Sequence, residues 1–215
     1  DNVTYTFTLS QDSVDNATKE VNPIIMAAAA NPKAITFSTK EQAIANPVTV
    51  TDAIGEVAYA KTSGSNYISI AADGKVTVAK NTPAGSYTID ITATAAGNDD
   101  YESGSVTQSV KVTVNKAANT LAVKAVKATQ TASTKKNTTI AAAKAFKVTK
   151  NVSKGKVTYK KTSGNAKIVV AANGKVTVKK GLKKGTYTVK VKATSAATKN
   201  YKAASKVITF KVKVK

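Results

Sequence analysis

A spacing of 100 residues runs through this chain and sets what it can fold into. With Tyr59 laid on Tyr159, YAKTSGSNYISIAADGKVTVAK meets YKKTSGNAKIVVAANGKVTVKK, and the register holds without a gap to VKVTVN against FKVKVK. Of the 57 positions aligned in this way, 25 are identical. Such a period is far longer than the roughly 20–50 residues of a solenoid unit and has the size of a whole domain. Upstream the match fades, with Gly55/Gly155, Val57/Val157 and Val48/Val148 as the last clear pairs. The joint between copies is placed at Lys116–Asn119, in NKAANT, which gives modules over residues 1–116 and 117–215. The opening segment DNVTYTFTLSQDSVDNATKEV has no counterpart in the second copy. Val3, Tyr5, Phe7 and Leu9 alternate as a strand does. Residues 1–20 are therefore either an extra first strand or the remnant of a preceding module.

Each copy reads as strands and turns. GKVTVAK and GKVTVKK alternate valine with polar residues, the period of a half-buried strand. Tyr87, Ile89, Ile91 and Ala93 share one side of the next strand, as do Tyr187, Val189, Val191 and Ala193. Asp73-Gly74 and Asn173-Gly174 suit tight hairpins, because both residue types tolerate positive φ. About seven short strands per module with regular turns describe a β-sandwich. The alanine runs at Met26–Ala30 and Ala141–Ala145 allow one helical turn at most.

The residues absent exclude most chemistry. The chain has no Cys, His, Trp or Arg, so all 33 basic residues are lysines. That removes disulfides, thiolate nucleophiles, His-based triads and His or Cys zinc sites. The net charge of +21 conceals an asymmetry. Residues 1–115 carry 7 Lys against all 12 acids, and residues 116–215 carry 26 Lys and no acid. The second module thus has no carboxylate for acid–base work, no cofactor is expected, and the chain is read as non-enzymatic. GKVT at Gly74 and Gly174 lacks the glycine spacing of a phosphate loop and opens a strand. No apolar stretch approaches the about 20 residues of a spanning helix. Any leader, anchor or partner domain is expected outside these residues.

Three binding readings follow. Asn98-Asp99-Asp100-Tyr101-Glu102 gathers Asp99, Asp100 and Glu102 as weak calcium candidates, since Ca²⁺ takes oxygen ligands. The second copy has Thr198-Lys199-Asn200-Tyr201-Lys202 there, so the loop forms without a metal. Six of the eight tyrosines recur as 59/159, 87/187 and 101/201 and read as framework, with Tyr87 and Tyr187 placed like a tyrosine corner. Tyr5 and Tyr67 remain as weak sugar-stacking candidates. The lysines of the second module suit a polyanion such as a cell-wall polymer or acidic glycan, against the plainer reading of a solubilising surface. Nucleic acid fits poorly without Arg for bidentate contacts or a spare aromatic for base stacking.

At this point a resemblance carries further. GKVTVAKNTPAGSYTIDITAT resembles the bacterial immunoglobulin-like and cadherin-like repeats of Gram-positive cell-surface proteins. GKVTVKKGLKKGTYTVKVKATSAATKNYKAA is similar to the lysine-rich repeats of large wall-associated proteins. The resemblance covers about residues 22–215. It implies an all-β chain of two tandem immunoglobulin-like β-sandwich domains, extracellular, within a larger multidomain protein. It implies a spacer or adhesive role, and no site. The alternative function is a polysaccharide-binding accessory of a secreted glycan-degrading system.

Overall fold

The computed structural model describes residues 18–29, 34–127 and 129–215. The chain divides into two compact units, Asp1–Thr113 and Val114–Lys215. In the first, the strands are β1 (Ile25–Ala28), β2 (Ala34–Thr36), β3 (Gln42–Ile44), β4 (Val48–Thr51) and β5 (Val57–Gly64), then β6 (Ile68–Ile70), β7 (Val76–Val78), β8 (Gly85–Ala95) and β9 (Gly104–Asn115), which runs across the division. In the second they are β10 (Leu121–Ala125), β11 (Thr129–Ala132), β12 (Thr138–Ile140), β13 (Phe146–Asn151) and β14 (Val157–Ser163), then β15 (Ile168–Val170), β16 (Val176–Val178), β17 (Gly185–Ser195) and β18 (Ala204–Val214). One helical turn, α1 (Ala142–Ala145), precedes β13. Both units repeat one sheet plan. The four-stranded sheets run β2-β9-β8-β5 and β11-β18-β17-β14, and the three-stranded sheets β3-β7-β6 and β12-β16-β15. The ribbons β1-β4 and β10-β13 complete them. The chain is thus all-β, a tandem pair of immunoglobulin-like sandwiches.

The alternation read from sequence places the cores. Val76, Val78, Ile89 and Ile91 are fully buried, and so are Val176, Val178, Val189 and Val191. In the second unit Phe210, 1% exposed, fills the centre. Phe146 packs edge-on to it at 5.4 Å and stacks on Tyr159 at 4.8 Å. The glycine of each β6–β7 and β15–β16 hairpin has φ near +85°: +85° at Gly74 and +86° at Gly174. Asp73 and Asn173 accept the amide of the lysine two residues on, at 2.9 and 3.0 Å. A side chain on either glycine would also meet the ring of Tyr59 or Tyr159 at about 3 Å.

Three expectations need correction. Each unit has nine strand segments among the described residues rather than about seven, because pieces of three residues such as β6 and β7 pair fully. The alanine runs keep within the one helical turn allowed them, the first being strand over Ile25–Ala28 and the second making the turn α1. Val48 is buried but Val148 is 38% exposed, and Phe146 takes the buried place, facing Ala125 as Val48 faces Ala28. Four extra residues lie between Ile140 and Val157 compared with Ile44 to Val57, where α1 and a bulge opposite Ala122/Val123 occur. Last, the end of the opening segment does have a counterpart. Lys19 Nζ donates to the Asn98 carbonyl and Lys116 Nζ to that of Thr198, both at 2.8 Å. Glu20 and Ala117 form matching parallel bridges to Tyr101 and Tyr201. Asn22 and Asn119 accept the amides of Ile54 and Ser153 at 3.1 and 3.0 Å. Residues 1–17, with the strand expected at Val3–Leu9, lie outside the described residues.

The tyrosine corner is present twice. Tyr87 Oη donates to the Pro83 carbonyl at 2.6 Å, and Tyr187 Oη to that of Lys183 at 3.0 Å. Burial, with the ring of Tyr67 nearby, holds the Tyr87 phenol above its ordinary value, so it stays a donor. Both rings are half-buried rather than engulfed. Tyr87→Phe or Tyr187→Phe is therefore expected to cost about 1 kcal/mol, the worth of one such bond. Urea unfolding of the full chain checks it, and a loss near zero would show that the corner bonds are ornamental.

Candidate functional site

The outer face of the four-stranded sheet is where the two copies part. Along β17, Val189, Val191 and Ala193 turn inward, so Thr186, Thr188, Lys190 and Lys192 turn outward and are exposed. Along β18, Ile208, Phe210, Val212 and Val214 turn inward, leaving Thr209, Lys211 and Lys213 outside. Register sets the neighbours: Lys190 faces Thr209, Lys211 faces Thr188, and Lys213 faces Thr186. On the flanks β11 sets Thr129 and Thr131 against Lys211 and Lys213, and β14 sets Lys160 against Lys192. The result is an exposed field of Lys160, Lys190, Lys192, Lys211 and Lys213 interleaved with threonine hydroxyls. No carboxylate exists in residues 116–215 to neutralise it.

The same positions of the first unit are Ala60, Asp90, Thr92, Lys111 and Thr113. Here the face is hydroxyl-rich. Thr92 shares hydrogen bonds with Thr62 at 3.3 Å and Thr107 at 2.8 Å. Asp90 accepts hydrogen bonds from both Ser63 and Ser109. The bond from Ser109, then that from Ser63, holds its carboxyl below the ordinary aspartate range, against a small opposing effect of burial. The folded state thus binds that proton less readily than the unfolded chain. The stabilisation is complete above the ordinary aspartate range and fades as pH falls through it to the depressed value. On acidification the first module is expected to lose stability that an Asp90→Asn variant does not lose. Melting at stepped pH from about 6 to about 2 checks it, and parallel pH profiles of the two proteins would refute it.

Not every lysine is free for a ligand. Lys161 is half-buried and its Nζ donates to the Asn165 and Ile168 carbonyls, each at 2.8 Å. Lys61 does the same toward Ser65 at 2.8 Å. Each lies at a bulge, between Lys61/Ser63 and Lys161/Ser163. The repeated Lys-Thr-Ser-Gly is therefore a loop tie. Lys167 likewise donates to the Gly181 carbonyl at 2.9 Å.

The residues singled out from sequence fare differently. Tyr5 lies outside the described residues. Tyr67 is 46% exposed and meets Tyr87 edge-on at 5.6 Å, which leaves one ring rather than a platform. Asp99 and Asp100 line an open cavity of ≈ 370 Å³ with Thr18, Lys19, Glu20 and Tyr101. Glu102 is not among its walls. Among the described residues no three carboxylates converge as metal ligands. The Tyr101 phenol is raised by its hydrogen bond to the Glu20 side chain, by that group's charge, and to a lesser degree by burial and Asp100. The contrast between Ala60-Asp90-Thr92-Thr113 and the lysine face is a site that motif and spacing do not mark; its one sequence signal is the alternation of lysine with valine.

No protein-family model and no curated protein matches this chain. Solved structures do. The EC21-23 segment of human CDH23 is 11% identical with a TM-score of 0.43, over 86% of this chain and 70% of that one. The immunoglobulin domains 1-4 of Sidekick-1 are 12% identical at a TM-score of 0.45, over 93% of this chain and 51% of that one. A SusE-like surface located polysaccharide binding protein from the heparin utilisation locus of Bacteroides thetaiotaomicron is 15% identical at 0.32, over 89% of this chain and 34% of that one. At such identities and scores, what those proteins bind does not transfer to this chain.

Proposed function

We propose that this chain is a non-catalytic adhesive spacer of a secreted or cell-surface bacterial protein. The second module attaches to acidic polymers, such as wall polyol-phosphates or sulfated glycans, through its lysine and threonine face. One observation carries this reading. Two copies of a single fold keep their cores and exchange that face, with Lys160, Lys190, Lys192 and Lys213 standing where the first copy has Ala60, Asp90, Thr92 and Thr113. Solubility alone calls for charge of either sign spread over both copies. A one-signed field attracts polyanions through release of their counterions. A non-catalytic role is supported by the absence of His and Cys from the chain and of acids from the second module.

The test uses the full chain and immobilised dextran sulfate. One variant carries Lys160→Ala, Lys190→Thr, Lys192→Thr and Lys213→Thr. A charge-matched control carries Lys135, Lys136, Lys183 and Lys184, all exposed off the face, changed to Thr. Loss of retention in the first variant but not in the control is expected. Equal retention of both would overturn the reading, and retention on neutral starch would favour stacking by Tyr67 instead.

A further inference from the structure

On the lysine face, charge is arranged to avoid itself, with one exception. Lys190 faces Thr209, Lys211 faces Thr188 and Thr129, and Lys213 faces Thr186 and Thr131. Lys160 and Lys192, however, are direct partners across β14 and β17. Directly opposed residues hold their Cβ atoms about 4.5–5.5 Å apart, and like charges there are destabilising. Lys190 lies two residues along β17 on the same side, about 7 Å away at the ordinary strand rise. The next row is the hydroxyl pair Thr158 and Thr194. On the far side of Lys192 stands Val207, 53% exposed. The first unit has Ala60 facing Thr92 at the same point, so the fold does not require this pair.

We infer that Lys160 and Lys192, with Lys190 as the third cation, form a discrete site for a tetrahedral oxyanion group, phosphate or sulfate, free or borne on a polymer. The inference rests on the reading of this face as polyanion-binding and names where on the face the charged group sits. An ammonium offers three donors and no acceptor, so two opposed lysines present up to six N–H groups and accept nothing. A multivalent oxyanion seated between them neutralises both and accepts from both. Chloride at the same ionic strength only screens them. A second opposed pair exists, Lys124 and Lys147 on the β10–β13 ribbon, and serves as the comparison. The positions two residues away there are Ala122, Val126, Ala145 and Thr149; the next lysine of that ribbon, Lys150, lies three residues from Lys147 beyond the bulge and faces Ala122, so no third cation stands two residues along a strand as Lys190 does beside Lys192.

The experiment follows thermal unfolding of the full chain at low buffer concentration. Sodium sulfate at a few millimolar is set against sodium chloride at equal ionic strength. Sulfate is expected to raise the midpoint of the second module by a few degrees beyond chloride in the wild-type protein. Lys160→Thr is expected to abolish that excess while itself raising the midpoint in low salt, because it removes the repulsion. Lys147→Thr relieves repulsion equally and is expected to leave the sulfate excess intact. The site is refuted if sulfate and chloride act alike on the wild type, or if Lys160→Thr and Lys147→Thr respond alike. Dextran sulfate forms the second arm. If Lys160→Thr weakens its retention several-fold and also loses the ion response, the group is taken both free and polymer-borne. If retention is unchanged in the four-lysine face variant, the broader reading of the face falls. If retention is lost there but sulfate gives no excess, the pair site alone falls.

Discussion

Truncation of Phe210 to alanine is expected to unfold the second module selectively. The ring is 1% exposed, lies edge-on to Phe146, and sits on β18 opposite Val189. Emptying such a position costs about 3–5 kcal/mol, through lost burial and an unfilled cavity. In a domain of about 100 residues each kcal/mol lowers the melting midpoint by about 4–8 °C. One calorimetric transition is therefore expected to fall by well over ten degrees while the other stays. The equivalent position in the first copy is Val110, 6% exposed. Val110→Ala removes fewer atoms and is expected to move the other transition, by less. If both transitions shift together in either variant, the chain has one shared core and not two.

The second large effect concerns salt. Binding of dextran sulfate by the wild-type chain is expected to fall by about two orders of magnitude between about 50 and 200 mM salt, as for a ligand whose charges displace counterions from about five contacts. Screening works in the same direction, since the Debye length shortens from about 10 Å at 0.1 M to about 3 Å at 1 M. The four-lysine face variant is expected to show a much flatter dependence. Titration calorimetry or retention at stepped salt measures both. Tight binding that survives 1 M salt would sink the electrostatic account and point to a shaped, specific pocket.

Period-two patterning made the cores legible in advance: once Ile89 and Val189 were placed inward, the burial of β8 and β17 followed. Gly74 and Gly174 were legible as turns for the same local reason, since positive φ is a property of one residue. What failed was information spread across the chain. The Lys19 and Lys116 ties share only a lysine and an asparagine three residues on, too little to align by eye. The pairing of Val48 with Val148 does not hold in space because α1 and a bulge shift the register upstream, and only the strand pairing reveals that Phe146 is the buried residue. The lysine face was half legible. Alternation with valine put Lys190 and Lys192 outside, but the opposition of Lys160 and Lys192 depends on cross-strand register beside the bulge at Lys161/Ser163. Neither strand encodes that register alone.

The parallel pairing of β11 with β18 has a mechanical meaning. Thr129 lies beside Lys211 and Ala132 beside Val214, so the two strands point the same way near the start and end of the module. Tension that draws the entry of β11 one way and the exit of β18 the other slides the strands lengthwise past each other. All the ladder bonds between them are then stretched at once and must break together, whereas an antiparallel hairpin pulled from its open end would lose them one by one. A module built in this way gives little under a steady pull until the whole clamp fails.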